Sequence, residues 1–268
     1  MAQVIDTVIM GAVDCEIDGL RDILDAANEV FLPGMTAHLG RFRGQAILFA
    51  ASGVGKVNAA AAAATLLSRF DIKQVWNIGS AGAYAGGSLR IGDVLITDTA
   101  LCGDEGILTR EGDQSNTSLG FPLVVRGGEA FFDSFPLNSL PPWKWAEEVV
   151  PSGWYQEGVE GVALVEGTEE SDLDRTFQIL RGPGLTVGMV SGDASVARER
   201  AKRTGALAEN MEGSAVAQVC FRFGVPALEC RGISNIAGER RKEHWRLKEA
   251  VGRCHAVVSA LLKARYES

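Results

Sequence analysis

The feature that most constrains this chain is a rhythm: short β-branched apolar runs, each followed by a stretch of helical spacing. "TVIMGAV" leads into "EIDGLRDILDAANEV", "QAILFAAS" into the alanine-rich "KVNAAAAAATLLSRF", and "QVWNIGS" and "VLITDTAL" follow. The last third repeats it with "LTVGMVSGD", "ALAENM", "EGSAVAQVCFRFG", "PALECRGIS" and a closing helical "RLKEAVGRCHAVVSALLKA". Strands alternating with helices predict an α/β fold, a three-layer α/β/α arrangement with a central mixed, largely parallel sheet. At 268 residues and 46% hydrophobic, the chain can bury one large core, and the repeated unit predicts a single domain over 1–268. The stretch from about 103 to 184, rich in Gly, Pro, Trp and acids, breaks the rhythm and reads as an inserted region. Its Trp143, Trp145 and Trp154 read as cover for the core or for a subunit contact.

Composition removes several partners. A net charge of -8 with no dense lysine and arginine segment argues against nucleic acid. No run of 18 apolar residues predicts a membrane span, and the N-terminus lacks the basic region of a signal peptide. The five cysteines are scattered, with no CxxC pair and no nearby histidines to complete a zinc set. They read as reduced thiols of a soluble cytoplasmic protein.

In such sheets ligands gather at the carboxyl ends of strands, and the polar clusters of this chain fall there. "SGVGKVNAA" fails as a phosphate loop, because Val57 follows Lys56 where Ser or Thr is required, and it reads as a tight strand-to-helix turn. "GSAGA" carries more small residues than a turn needs, so Ser80, Ala81 and Gly82 present a surface that a flat ring can approach. "GAVDCEIDGL" sets Asp14, Glu16 and Asp18 just after a strand, where helix charge compensation suffices for Asp14 and Asp18. "ENMEG" puts Glu209 and Glu212 at a strand-to-helix junction. From there Val216, Val219, Cys220 and Phe223 keep helical spacing on one face, so Glu212 points at the strand ends. A carboxylate so placed can accept both hydroxyls of a vicinal diol.

Taken in order, "GAVDCE", "SGVGKVNAA", "GSAGA", "VSGD", "ENMEG" and "RGISN" resemble the nucleoside phosphorylase and nucleosidase superfamily. The nearest branch is that of the 5'-modified purine nucleosidases, and within it the futalosine hydrolases of menaquinone biosynthesis. The resemblance spans about 1 to 100 and 185 to 265. It implies hydrolysis of an N-ribosidic bond without metal or organic cofactor, a purine nucleoside as ligand, and a homo-oligomer, most often a dimer. By the same resemblance Glu16 activates the attacking water, Glu212 binds the ribose hydroxyls, and Met211 packs under the sugar. Ser80, Ala81 and Gly82 would line sugar and base, Arg231 would stand near the nucleophile, and Trp245 would face the 5' group. Ser195 and Val196 fall where the family builds its base pocket, although Ser195 replaces an aromatic ring there. A carboxylated aromatic 5' extension would stack on Trp245 and meet one of Arg126, Arg240 or Arg241, unless "ERRKEH" is only a solvated charged face.

Asn235 departs from the branch that cleaves adenine nucleosides, which carries an aspartic acid there. An amide offers N–H to a 6-oxo oxygen and a carbonyl to a protonated N7, a pattern complementary to hypoxanthine. It would stabilise the departing base without acting as a general acid. The acids of "VDCE" would repel phosphate, which favours hydrolysis over phosphorolysis. The competing expectations are a methylthioadenosine/adenosylhomocysteine nucleosidase, a 6-oxopurine phosphorylase, and a non-catalytic nucleoside- or dinucleotide-binding protein. Retention of both Glu16 and Glu212 speaks against the last.

Overall fold

A computed structural model of the chain describes residues 2–110, 112–137, 162–165 and 177–266. Eleven strands form the main sheet: β1 (Thr7–Gly11), β2 (Asp25–Leu32), β3 (Met35–Phe42), β4 (Gln45–Ala51), β5 (Val75–Ala83), β6 (Val94–Cys102), β7 (Ser134–Pro136), β8 (Val162–Val165), β9 (Phe177–Thr186), β10 (Ala208–Asn210) and β11 (Ala227–Ile236). The longer helices are α1 (Lys56–Arg69), α2 (Ala194–Thr204), α3 (Gly213–Phe223) and α4 (Leu247–Tyr266). The parallel pairs are β1 with β4, β1 with β5, β5 with β11, β6 with β9, and β9 with β10. Antiparallel pairing of β11 with β6 and of β10 with β5 closes β5, β11, β6, β9 and β10 into a ring. The mixed sheet expected from the rhythm is present, with five parallel and six antiparallel pairings among the described strands of this main sheet.

The period of two in the strands sorts the core into two layers. Val8, Met10, Leu48 and Ala50 face α1 and α3, whereas Ile9, Ile47, Phe49 and Ile78 face α4. On α1 the buried face is Ala59, Ala62, Ala63, Leu66 and Leu67, and its small residues let the helix sit close to the sheet. On α4, Cys254, Val257, Val258, Leu261 and Leu262 complete the opposite layer. On α3, Val216 and Cys220 are buried and Val219 is partly so, but Phe223 is 47% exposed. Its place toward the core is taken by Phe221, tilted against Phe131 and Phe135.

Two expectations need correction. "EIDGLRDILDAANEV" is not one helix: it supplies a 3-10 turn at Asp14–Glu16, a single helical turn at Asp18–Arg21, and then β2. Ile17 and Leu20 find a core to enter, whereas the residues of β2 are mostly exposed and gain more from pairing with β3 across the Pro33–Gly34 turn than from isolated helix. The interruption of the rhythm is also shorter than 103–184, because Phe177–Thr186 is a full-length strand of the main sheet. Its "GPG" disguises it. The register on β6 slips between Gly182 and Pro183, and this bulge accommodates a proline that a regular ladder would reject. Trp143, Trp145 and Trp154 lie outside the described residues.

Candidate active site

A cavity of about 340 Å³ opens at the carboxyl ends of the strands, within the size range of small-molecule sites. The turn after β1 carries Glu16 into it, 6% exposed. Glu16 Oε2 accepts from Ala12 N at 2.9 Å, and Oε1 accepts from Ser80 N at 2.9 Å and Ser80 Oγ at 3.1 Å. Every partner is a donor, which suits an ionised carboxylate held in one orientation. The carboxylate lies directly against β5: a β-carbon at Gly79 would come within 2.6 Å of Glu16 Oε1, so only glycine fits there.

Glu212 enters from the other side, at the N-cap of α3, 5% exposed. Its Oε1 accepts from Gly55 N at 2.9 Å, in the turn before α1, and its Oε2 stands 3.6 Å from Arg231 Nη1. Burial pushes its carboxyl above the ordinary glutamate range and the Glu16 charge adds to this, while Arg231 and the Gly55 amide oppose it. Arg231 is 1% exposed on β11 and is bracketed by Glu212 and by Glu229, whose Oε1 accepts from Arg231 Nε at 3.3 Å. Burial disfavours its charge, but Glu229, Glu212 and Glu16 outweigh that and hold the guanidinium above the usual arginine value. It therefore backs Glu212 without lining the cavity. Arg231, expected near the nucleophile, is thus placed behind Glu212 and is not among the residues lining the cavity.

Asn235 reaches the cavity through a second bulge. On β5 the partners of β11 run from Ile233 opposite Ala81 directly to Asn235 opposite Gly82, leaving Ser234 unpaired between them. Asn235 Nδ2 donates to the Ile236 carbonyl at 3.1 Å, and Oδ1 accepts from Ser234 Oγ at 2.8 Å. A carbonyl can only accept, so the amide is fixed with its nitrogen on that side, leaving one N–H and one oxygen lone pair unused. Gly82 leaves room for it, since a β-carbon there would stand 3.2 Å from Asn235 Nδ2.

Glu16, Ser80, Ala81, Gly82, Met211, Glu212, Asn235 and Trp245 thus line one cavity. Ser195 and Val196 do not. They begin α2, where Asp193 caps the helix by accepting from Ser195 N and Oγ, both at 2.6 Å, and from Val196 N at 3.1 Å. That cap fixes both residues on the helix, and Val190 and Ser191 line the cavity on this side. Of the three arginines considered for the 5' group, Arg126 stacks on Phe221 and Arg241 is tied to Glu239; only Arg240 lines the cavity.

Sequence reading also missed a buried network. Glu209, 4% exposed, lines the cavity and accepts from Ser191 N and Oγ, both at 2.7 Å, from Tyr84 Oη at 3.0 Å and from Arg200 Nη1 at 3.4 Å. Burial, with the neighbouring Glu209 charge, drives the Tyr84 phenol well above its ordinary value, so it remains a donor. "VSGD" and "ENMEG" flagged two members, but nothing local connects Glu209 to Tyr84 or Arg200.

A family profile described as the phosphorylase superfamily matches residues 6–263. The chain belongs to the phosphorylase superfamily. Among its curated relatives in that superfamily, futalosine hydrolase of Thermus thermophilus is 33% identical over 220 residues, 82% of this chain and 83% of that one. A 5'-methylthioadenosine/S-adenosylhomocysteine nucleosidase of a Marinomonas species is 28% identical over 261 residues, covering 95% and 97%. Among solved structures of the superfamily, the Neisseria meningitidis 5'-methylthioadenosine/S-adenosylhomocysteine nucleosidase in complex with methylthio-immucillin-A has a TM-score of 0.74 at 24% identity, covering 97% of this chain and 99% of that one. That likeness shows the shared fold.

Proposed function

We propose that this phosphorylase-superfamily chain hydrolyses the N-ribosidic bond of a 6-oxopurine nucleoside, with futalosine as substrate and hypoxanthine as the released base. The observation that carries the reading is the convergence of Glu16, Glu212 and Asn235 on one cavity, each with its orientation fixed by protein partners. Cleavage passes through an oxocarbenium-like ribose. Glu16 takes a proton from water as the water oxygen bonds to C1', the C1'–N9 bond breaks, and its electron pair leaves with the purine, which gains a proton from solvent. Glu212 accepts from the ribose hydroxyls and gains strength as they acidify in the flattened ring. The spare N–H of Asn235 meets the 6-oxo oxygen, and its oxygen accepts from the protonated N7. Glu16, Glu209 and Glu212 all line the cavity, which favours water over phosphate as the nucleophile.

Named relatives divide between futalosine hydrolase and methylthioadenosine/adenosylhomocysteine nucleosidases, and the adenine-releasing reading draws on the wider coverage of the latter. Asn235 favours the 6-oxo base, because an adenine amino group would face the amide N–H donor to donor. The test is incubation with futalosine in buffers with and without phosphate, following hypoxanthine and the reducing end of the sugar. Equal release in both buffers is expected; release only with phosphate would mean a phosphorylase. Asn235→Asp should lower hypoxanthine release, and an unchanged base preference would count against base reading at this position.

A further inference from the structure

The turn that carries Glu16 has little of its own to hold it. Val13, Asp14 and Cys15 are exposed, and the local bonds are those of one 3-10 turn: Glu16 N donates to the Val13 carbonyl at 3.0 Å and Ile17 N to the Asp14 carbonyl at 2.9 Å. Ala12 and Ser80 fix the Glu16 carboxylate at its far end. A different element fixes the backbone. His255, on α4, places Nε2 at 2.7 Å from the Glu16 carbonyl oxygen. A carbonyl only accepts, so Nε2 carries the proton and donates. The imidazole reaches that oxygen across Gly19, where a β-carbon would come within 2.7 Å of Nδ1 and 3.0 Å of Cε1. Glycine leaves the space that the ring occupies. The helix behind the ring is well anchored, since Cys254, Val257 and Val258 are all buried in the core. Cys254 donates its thiol to the carbonyl of Cys230 at 3.3 Å, and Cys230 directly precedes Arg231 on β11. Consecutive residues of one helix thus touch both parts of the chain that bring Glu16 and Arg231 to the site.

Resting on the nucleosidase reading above, we infer that His255 is a positioning residue for the reaction: it sets the backbone from which the Glu16 carboxylate meets the attacking water. It does not line the cavity, so it acts through Glu16 alone. With the imidazole removed, the exposed turn is free to shift while Ala12 and Ser80 still hold the carboxylate oxygens. The side chain between these two ends must then tilt, and the lone pair that takes the proton turns away from C1'. A displacement of about 1 Å in a reacting group costs roughly 10²-fold in rate, so a single backbone contact of this kind has a measurable consequence.

Kinetics on the full chain test this, with whichever of futalosine and 5'-methylthioadenosine the wild type hydrolyses, so that an error in the base leaves the comparison intact. His255→Leu should lower kcat by about 10- to 100-fold with KM unchanged. His255→Gln, whose amide nitrogen can take the place of Nε2, should recover most of the loss. Gly19→Ala, which displaces the ring without altering α4, should lower kcat in the same way. In Glu16→Gln protein, adding His255→Leu should cost nothing further, because the base that it positions is gone. A wild-type kcat in His255→Leu, or an equal loss on top of Glu16→Gln, overturns the assignment. Failure of the nucleosidase reading, with neither nucleoside hydrolysed or with Glu16→Gln as active as wild type, is told apart by imidazole nitrogen NMR. The chain has three histidines, and His255→Leu identifies the signal. An Nε2–H tautomer keeps the contact with Glu16 standing, and an Nδ1–H tautomer overturns it.

Discussion

At the scale of single residues, the two carboxylates of the cavity differ in their surroundings. Glu16 is held by three donors and Glu212 by one backbone amide and an arginine at 3.6 Å. Replacing Glu16 by Gln keeps size and packing and removes the proposed base, so kcat should fall by roughly 10²–10⁴ with little change in KM. Steady-state kinetics decide this, and an unchanged kcat would exclude Glu16 as base. On the proposed mechanism Glu212 must be ionised to accept from both ribose hydroxyls, and burial raises its pKa. Activity should therefore be lost as pH falls through that raised value, placing the acid limb of kcat/KM above the ordinary glutamate range. A limb at or below that range would argue that another group controls it. Both glutamates were legible because each closes a short motif at a strand end. Ser195 and Val196 were misplaced because "SGDAS" reads alike as pocket wall and as helix cap, and the Asp193 side chain resolves it as a cap.

At the scale of elements, the cavity walls are joined by a cluster that the sequence did not announce. Lys56, first residue of α1, bridges Asp104 at 2.6 Å and Glu105 at 2.8 Å beyond β6, and Asp104 also accepts from Gly188 N beyond β9. The turn that donates Gly55 N to Glu212 is thereby tied to the segment carrying Val190 and Ser191. Burial alone would raise the Asp104 pKa, but the Lys56 ammonium and the Gly188 amide outweigh it and hold the carboxyl below its ordinary value. Its stabilisation is present above the unfolded-state pKa and is lost as pH falls through the depressed folded value. Lys56→Met should cost about 1–3 kcal/mol near neutral pH, and the difference from wild type should narrow in acid as Asp104 protonates. Urea unfolding at two pH values measures both, and an equal loss at each would contradict the pairing. Strand-to-helix order was legible because its hydrophobic periods are strong. β2 was not, because its register comes from β3, and β9 was hidden by the Gly and Pro of its bulge.

At the scale of the molecule, the fold brings separated motifs to one end of a sheet: Glu16 and Asn235 lie 219 positions apart in the chain yet share one cavity. Among the described residues no helix is long and apolar enough to cross a membrane. Val54, which lines the cavity, is 51% exposed, and Val57 and Met189, a few positions along the chain from lining residues, are 82% and 75% exposed. We propose that a second copy of the chain covers these side chains, and light scattering on the eluted protein should then give about twice the 28.5 kDa chain mass. A monomer mass would contradict it. The central claim, however, concerns the base, and the most direct measurement is kcat/KM for hypoxanthine release from futalosine set against adenine release from 5'-methylthioadenosine, in phosphate-free buffer. Futalosine should be favoured by a factor on the order of 10² or more, because the amide pairs with one base and is mismatched to the other. Equal values, or a preference for methylthioadenosine, would contradict it.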